Sequence, residues 1–542
     1  MKKSFKTLMT VLCCAALALA CNKTEEVVNT MTSDITAIKE VAAHNPAGIP
    51  VSITSNVNWI VQTPAWVHSD VPFGSGNAIV TFTVDENYIN ENTNTLPREG
   101  EIKISGGGTL NGKGVVLVIT ISQLGYTKPF DPNASKGGIE TADDLLEFAE
   151  ALNSGGAADK WSDASGAVLL LEDIELPAGT QWEPAGNSAA TSFKGVFNGN
   201  GHKITGLSFT KEATSDGAYG FFGFADGATI KNLTIEVDNF TVESNDCKLS
   251  FGCIVGKAGA GTEVTGCTVN AKSAESMMLT RITGGSNKAT YIGGIVGQQL
   301  GAKIENCTNN LPIKAVNEFY DNNGANGLHV GGIMGWTNVS EGTTVAKCTN
   351  NAAIGGYLGT ERAGSISRCG GIVGTGQGLI TVTDCVNNGK INGTCIVTSD
   401  KSSRTSGIIA YTNVADCKIS GCVNNGDIVF SEPGDSYLGY CAGIVGQTAK
   451  AITIEKCENY GAILTDNFIQ PKVETNCTGI IIARPNNQAT KITACKVGGK
   501  IGPFSDPSQV ITITAANFAE YLSGDSGRKT ALVLTDNVFG AK

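Results

Sequence analysis

Side chains suited to ligand binding form one stripe in this sequence, three positions before the second glycine of each copy of a repeated Gly-Gly box. The stripe consists of Tyr291, His329, Arg368, Arg404, Tyr440 and Asn476. Aromatic rings and guanidinium groups can stack on, and pair with, an extended anionic or glycan ligand. The position after each member is mostly apolar, so the stripe faces outward if that apolar row faces the core. The sequence therefore predicts a ligand-binding stripe, with an ordinary solvated strand face as the alternative.

The elements that must position the stripe are seven repeats, each a Gly-Gly-Ile-Val-Gly-like box followed by an apolar-x-x-Cys box. The cysteines are Cys267, Cys307, Cys348, Cys385, Cys422, Cys457 and Cys495, at intervals of 35 to 41 residues. Such a period is typical of stacked solenoid coils, whose strands pair in parallel about 4.8 Å apart. The asparagines two positions after a cysteine predict a ladder at a corner of the coil: Asn309, Asn350, Asn387, Asn424 and Asn459.

The cysteine count first suggests disulfides, because 14 of the 17 cysteines follow the three at positions 13, 14 and 21. Half of those 14 occupy one repeat position, however, and stacked identical side chains fill a solenoid core. Free cysteine behaves as a small buried hydrophobe. We therefore expect mostly reduced, buried thiols, with local disulfides between Cys417 and Cys422 or between Cys247 and Cys253 as the alternative.

From residue 252 onward the repeats resemble the GLUG family. Residues 293–297 read Gly-Gly-Ile-Val-Gly and are followed by Ile-Glu-Asn-Cys at 304–307, and the pattern returns at 370–374 and 382–385. Residues 193–204 resemble the entry into surface β-helix proteins. Together these resemblances imply a right-handed parallel β-helix, or β-solenoid, over residues 166–500, followed by a C-terminal cap at 501–542.

Two short helices are predicted at the ends of this solenoid. Thr141 is suited to N-cap a helix that continues through Leu152, within a linker and cap at 128–165. A second helix is predicted from Thr514 through Leu522, where it would cover the open edge of the last coil. The chain as a whole is therefore expected to be all-β with short capping helices.

Residues 36–127 lack the repeat and alternate short apolar strands with turn signals, which predicts a small β-sandwich. The order of Trp59, Trp66, Gly-Ser-Gly at 74–76 and Arg-Glu-Gly-Glu-Ile at 98–102 resembles the BACON module. That resemblance implies an immunoglobulin-like sandwich that either binds carbohydrate or acts as a spacer. Trp59 lies between apolar strand residues and is predicted to be core, whereas Trp66 is a candidate for stacking on a sugar ring.

The N-terminus predicts export and lipidation. Residues 1–21 have the charged, apolar and small-residue zones of a signal peptide, and the stretch ending at Cys21 resembles a bacterial lipobox. Cys21 is therefore the predicted lipidation site, with residues 22–35 as a tether. Acidic residues just after Cys21 resemble the surface-export signal of Bacteroidota lipoproteins. We expect an outer-membrane lipoprotein exposed at the cell surface, with a periplasm-facing lipoprotein as the alternative.

The charge and the motifs exclude several function classes. The formal net charge is −11, so a nucleic-acid-binding footprint is not expected. The Gly-rich loop at 107–114 comes close to a phosphate-binding loop but has Gly114 where that motif requires Ser or Thr. The four histidines, His44, His68, His202 and His329, are scattered without metal-ligand spacing. We therefore predict no cofactor and no metal.

An enzyme is the main alternative in another class, because parallel β-helices often carry polysaccharide lyase or glycosidase sites built from acidic residues. Glycosidase carboxylates must lie roughly 5 to 9.5 Å apart. The repeat alignment places Glu305 and Glu455 four coils apart, about 19 Å at the strand spacing, and places Asp384 beside Lys347 and Lys456. This pattern favours charge pairing along a ladder, although the loop acids Asp321 and Asp435 leave a catalytic site open.

These inferences combine into one expectation: a non-catalytic surface lipoprotein for glycan binding or adhesion. The expected partners are a polysaccharide or a host or bacterial surface protein, with contact to the membrane through the lipid anchor only. The candidate ligand-binding residues are Tyr291, His329, Arg368, Arg404, Tyr440 and Trp66. The alternatives are a polysaccharide lyase or glycoside hydrolase on a β-helix, and a protein-binding adhesin or structural spacer.

Overall fold

The structure is a computed structural model that describes residues 28–89, 93, 95–107, 114–126, 137–245, 247–282, 288–317, 327–355, 368–394, 402–431, 438–465, 477–486, 489–525, 527–528 and 531–540. The chain divides into two compact units, Met1–Asn133 and Ala134–Lys542. Predictions that concern Cys21, Asn476, Asp321 and Asp435 fall outside the described residues.

The N-terminal unit consists of two sheets with a shared apolar core. Sheet I contains Met31–Ser33, Ile49–Ser55, Ala78–Val84 and Val67–Ser69 in spatial order, and sheet II contains Ala37–Val41, Val115–Gln123, Arg98–Gly106, Asn58–Gln62 and Phe73–Ser75. Buried and exposed positions alternate along Ile49–Ser55 and Ala78–Val84, as one buried face of a sheet requires. The Trp59 side chain is 2% exposed and its Nε1 donates to the Gly76 carbonyl over 3.0 Å, so its predicted core position is confirmed.

The second unit is a β-solenoid whose coils contribute strands to four sheets. Sheet III contains Ala167–Leu169, Val196–Asn198, Thr229–Lys231, Glu263–Thr265, Ala302–Glu305, Thr343–Ala346, Ile380–Thr383, Lys418–Ser420, Thr453–Glu455, Thr490–Thr493 and Leu532–Thr535. Sheet IV contains Ile174–Glu175, Lys203–Ala213, Thr234–Ser244, Thr268–Ala271, Met277–Ile282, Thr308–Asn309, Ile313–Asn317, Thr349–Asn350, Ile354–Gly355, Val386–Asn387, Ile391–Thr394, Val423–Asn424, Ile428–Ser431, Glu458–Asn459, Ile463–Thr465, Lys496–Val497, Lys500–Gly502, Ile511–Thr512 and Val538–Phe539.

Two shorter sheets complete the coils, and each coil passes from sheet V to sheet VI through its Gly-Gly box. Sheet V contains Gly217–Tyr219, Leu249–Gly252, Thr290–Gly293, Leu328–Gly331, Arg368–Gly370, Ser402–Ser406, Leu438–Ala442 and Cys477–Gly479. Sheet VI contains Phe222–Ala225, Val255–Ala258, Val296–Gln299, Met334–Thr337, Val373–Gly376, Ile409–Thr412, Val445–Thr448 and Ile482–Arg484. Neighbouring strands in both sheets are parallel, which confirms a parallel β-solenoid.

The repeat cysteines fill the core between the sheets. The 13 cysteines that the structure describes are all buried and form no disulfide, so the reduced state is confirmed for them and the two local disulfides are wrong. The Sγ of Cys385 lies 3.5 Å from the Val345 carbonyl of the preceding coil and 3.3 Å from the Thr383 carbonyl. Each of the seven repeat thiols has such a carbonyl neighbour, so it packs as an apolar group and points its weak S–H donor at backbone oxygen.

The predicted asparagine ladder is confirmed and lies in the interior. Asn309, Asn350, Asn387, Asn424 and Asn459 are all 0% exposed. The Nδ2 of Asn387 donates to Asn424 Oδ1 over 2.8 Å and to the Gly389 carbonyl over 2.9 Å. The same two bonds recur from Asn350 to Asn387 and to Ala352. Each buried amide thus donates to a carbonyl in the turn of its own coil, and the side-chain bonds join neighbouring coils from Asn309 to Asn459.

Helices lie at both ends of the described solenoid. The first spans Ala142–Asn153, and Thr141 is its N-cap as predicted, accepting from the Asp144 N–H in a capping box. This helix buries Leu145 and Phe148. The second is shorter than predicted, Phe518–Tyr521, with Asn517 rather than Thr514 at its N-cap. Two short 3₁₀ helices span Asp159–Trp161 and Pro507–Gln509. The sheets also continue past the expected boundary at residue 500, because Leu532–Thr535 and Val538–Phe539 pair with Thr490–Thr493 and Lys496–Val497.

Candidate functional site: a buried arginine–aromatic band

Glycines bring sheets V and VI into direct contact. A Cβ added to Gly335 in sheet VI would lie 2.5 Å from the backbone nitrogen of Ile292 in sheet V of the preceding coil. One added to Gly374 would lie 2.9 Å from the Val330 carbonyl oxygen. Only glycine permits so close an approach of two backbones. Side chains on the neighbouring positions of the two sheets are therefore forced side by side.

The predicted stripe is a continuous row of sheet V, but it does not face solvent. Tyr291, His329, Arg368, Arg404 and Tyr440 are successive register partners. Tyr291 is 5%, His329 1%, Arg368 5% and Tyr440 0% exposed, and Arg404 is half-buried. The outward-facing stripe is therefore wrong, because a second row of side chains packs against it. The register also continues from Tyr440 to Cys477, not to Asn476.

The second row belongs to sheet VI and was missed by the sequence analysis. Its members, each seven residues after a sheet V position, are Gln298, Trp336, Thr375, Tyr411, Gln447 and Arg484. This constant offset is the signal that would have revealed it. We call the two rows together, from Tyr291 to Arg484, the arginine–aromatic band.

Side chains of the two rows stack on and hydrogen-bond to each other. The Trp336 ring stacks on Tyr291 with centroids 4.5 Å apart and planes 10° apart. Arg404 Nε donates to Gln447 Oε1 over 2.6 Å, and Arg484 Nη1 donates to the Tyr440 hydroxyl. The aromatic faces proposed for sugar stacking thus already have partners within the protein. Burial raises the pKa of the Tyr291 and Tyr440 hydroxyls, so both stay neutral at physiological pH.

His329 and Arg368 form the centre of the band. Arg368 Nη1 lies 2.9 Å from His329 Nε2, and His329 Nδ1 lies 2.9 Å from Thr375 Oγ1. Since arginine can only donate, Nε2 is the acceptor and the proton is on Nδ1, which donates to Thr375. Burial, together with the charges of Arg368 and Arg404, holds the pKa of His329 well below its usual value. The imidazole is therefore neutral in the folded protein.

Replacing His329 by glutamine is expected to reduce the pH dependence of the free energy of unfolding below about pH 6.5. The unfolded histidine has a pKa near 6.5, and the folded one takes up its proton only at lower pH. The unfolded state therefore binds more protons below about pH 6.5, and stability falls there by up to about 1.4 kcal/mol per pH unit. Glutamine can accept from Arg368 and donate to Thr375 but cannot titrate. Urea denaturation at pH 5 to 8 measures both slopes, and equal slopes would contradict the neutral His329.

Trp66, the candidate in the N-terminal unit, is half-buried and packs against the core of that unit. The Arg98 guanidinium carbon lies 4.6 Å from the centroid of its ring. Arg98 is itself held by Gln123 Oε1 at 2.8 Å from its Nε. Arg98 therefore covers part of the ring surface that a sugar would need.

The acidic residues of sheet III form charge pairs along the ladder. Glu305 and Glu455 lie four coils apart, connected by the register through Ala346, Thr383 and Ser420. Lys347 Nζ lies 3.4 Å from Glu305 Oε1, and Lys418 Nζ lies 2.7 Å from Glu455 Oε1. The Lys418 hydrogen bond lowers the pKa of Glu455, which is opposite to what a general acid needs. The predicted charge ladder is confirmed for these two glutamates.

An exposed array of amides follows one edge of sheet IV, next to the interior ladder. We call it the amide face, and it consists of Asn270, Asn310, Asn351, Asn388 and Asn425. The Nδ2 of each of the last four donates to the Oδ1 of the asparagine in the preceding coil over 2.8 Å. Asn425 Oδ1 is buried and has no hydrogen-bond partner among the described residues, because the next coil has Tyr460 at this position. All five side chains are half-buried or exposed.

The fold and these sites together define an all-β protein built on a parallel β-solenoid with a buried arginine–aromatic band. No protein-family model matches the chain. A protein of Evansella cellulosilytica, provisionally named a Gly-rich membrane protein, is 40% identical over 81 residues, which is 14% of this chain and 9% of that protein. In the described part of this chain, no helix is long and apolar enough to cross a membrane.

Similar solved structures are distant. The crystal structure of a provisionally named immunoglobulin A1 protease from Bacteroides ovatus covers 67% of this chain and 86% of its own, with 14% identity and a TM-score of 0.33. A structure named IgA1 protease covers 86% of this chain and 28% of its own, with 12% identity and a TM-score of 0.35. At this level of similarity neither structure bears on the activity of the chain.

Proposed function

We propose that this protein is a non-catalytic surface lipoprotein that binds an extended glycan through its amide face. The observation that carries the proposal is the unbroken row of hydrogen-bonded asparagines from Asn270 to Asn425 on the outside of the solenoid. The stripe of sheet V is buried and therefore cannot be the binding surface. The amide face replaces it, since its side chains reach solvent.

The amide face repeats the groups that recognise sugar hydroxyls. An asparagine amide has two N–H donors and two acceptor lone pairs. The hydrogen bonds along the amide face use one donor and one lone pair of each asparagine that has a neighbour on both sides. One donor and one acceptor per coil therefore remain, at intervals of about 4.8 Å. The outward row beside them is Thr308, Thr349, Val386 and Val423, all half-buried. Small side chains in this row leave room for a polymer to lie flat across the coils.

The remaining parts of the chain fit a display function. Cys21 would hold the protein in the outer membrane through its acyl chains, with the chain exposed at the cell surface. The two-sheet N-terminal unit, with its BACON-like sequence, would serve as an immunoglobulin-like spacer between anchor and solenoid. The predicted partner is thus a polysaccharide outside the cell.

A blocked amide face is expected to abolish glycan binding. In the variant Val386→Lys/Val423→Lys, long charged side chains cover the face on two adjacent coils without removing an amide. The unlipidated chain from residue 22 is screened on arrays of plant, host and microbial glycans. We expect binding by the native sequence and at least tenfold weaker binding by the variant.

The matched control is Thr344→Lys/Thr381→Lys, which places the same charges on adjacent coils of sheet III. It is expected to bind like the native chain. Equal loss in both double variants would indicate a charge effect and reject the amide face. No binding by the native chain to any glycan would favour a protein-binding adhesin or a spacer instead.

A further inference from the structure

We propose that the arginine–aromatic band contains a binding site for a single monovalent anion, held by Arg368. The ligand is a halide or a carboxylate, either as a free ion or as the acid group of a uronic-acid glycan. The site lies between sheets V and VI. It is independent of the amide face, which is on sheet IV.

Arg368 is a buried cation without a described anionic partner. Its side chain is 5% exposed, and its one hydrogen-bonding partner among the described residues is the neutral His329. Its Nε is buried and has no hydrogen-bond acceptor in the described part of the chain. No Asp or Glu of the described chain forms an ion pair with it. A buried charge without a counter-charge strongly destabilises the folded state.

A second positive charge increases this cost. The guanidinium carbons of Arg368 and Arg404 lie 4.8 Å and 5.0 Å from the centroid of the same Tyr411 ring. The ring attracts both cations, yet the two like charges beside it repel each other. Burial and the charge of Arg404 lower the pKa of Arg368 to about 9. At neutral pH the arginine is still charged, so the band concentrates positive charge in a poorly hydrated site.

The geometry sets the size and charge of the ligand. Arg368 uses Nη1 on His329, which leaves the Nε–H donor for an oxyanion or a halide. Arg368 is 5% and its partner His329 1% exposed, so a large or divalent anion has little room. Half-buried Arg404 and Tyr411 form the part of the band that reaches towards solvent. The acid group of a sugar would enter from that side.

The test is the thermal stability of the unlipidated chain at constant ionic strength, with chloride, acetate, glucuronate or tetragalacturonate replacing sulfate. Because sulfate itself stabilises folded proteins, each response is taken as the Tm shift relative to that of the variant Arg368→Gln in the same salt. The native chain is expected to show a saturable rise of about 2 °C or more on that scale. The matched control Arg484→Gln, another arginine of the band, is expected to retain the rise.

The ligands distinguish the two sources of the anion. A rise with chloride and acetate alone identifies a free ion, and a rise with glucuronate and tetragalacturonate as well identifies the acid group of a glycan. Equal responses of the native chain and Arg368→Gln would overturn the proposal. If Arg368→Gln does not fold, bromide-soaked crystals of the native chain decide, since the site requires an anomalous peak within hydrogen-bonding distance of Arg368 Nε.

Discussion

Replacing Asn387 by alanine is expected to destabilise the solenoid by about 4 kcal/mol. The buried side chain donates to the Gly389 carbonyl and to Asn424 Oδ1, and accepts from Asn350 Nδ2. Alanine removes the donor to two buried acceptors, and each unsatisfied buried group costs about 1–3 kcal/mol. The cavity left by the amide adds to the loss. Urea denaturation followed by circular dichroism measures the change.

The neighbouring residue provides the control. Asn388→Ala removes an amide from the exposed ladder, where water can replace both of its ladder partners. Its cost is expected to stay below about 1 kcal/mol. Because solenoid coils can unfold in part, hydrogen exchange of the coil around residue 387 should show the same contrast. Similar losses for both variants would mean that the interior ladder has no special structural role.

Replacing Gly371 by alanine is expected to destabilise the solenoid by about 3 kcal/mol or more. A Cβ at this position would overlap the Gly407 carbonyl oxygen and lie 2.5 Å from Asn387 Cγ. Both atoms are fixed, the first by the backbone and the second by the ladder. Neither can move without breaking a strand or a buried hydrogen bond, so the overpacking is not relieved. Denaturation with urea again measures the loss.

A glycine in open space serves as the comparison for Gly371. A Cβ at Gly137 would meet no atom of the described residues within 4 Å, so Gly137→Ala should change stability by less than about 0.5 kcal/mol. The double variant Gly371→Ala/Asn387→Ala is informative as well. Removing the amide makes space for the methyl group. The stability lost in the double variant should therefore be smaller than the sum of the losses in the two single variants. Full additivity would refute the direct contact between the box glycine and the ladder.

Features that depend on the repeat alone could be predicted from the sequence. The seven cysteines at one position indicate a stacked, reduced core, since identical residues on successive parallel strands meet each other. The asparagines two positions later predict a ladder at a coil corner for the same reason, and the structure places that ladder in the interior. Thr141 with Asp144 predicts the helix start from local capping chemistry. The alignment of Glu305 and Glu455 likewise gives their separation without any tertiary contact.

The burial of the stripe could not be predicted in this way. Alternation along one strand shows that Arg368 and Cys369 point to opposite sides, but not that both sides are covered. The cover depends on Gly335 and Gly374, which let sheet VI lie against sheet V of the preceding coil. Glycine at these positions also fits an ordinary turn, so its role becomes visible only when two coils are placed together.

The repeat, its period, the core residues and the coil corner all follow from the amino-acid sequence, because each depends on periodic side chains on parallel strands. Which chemical groups reach solvent depends instead on how the coils pack. This packing buries Arg368 and His329 between two sheets and exposes the row from Asn270 to Asn425. The physical reason is that exposure depends on packing between coils, and that packing is set by the space that glycine leaves empty.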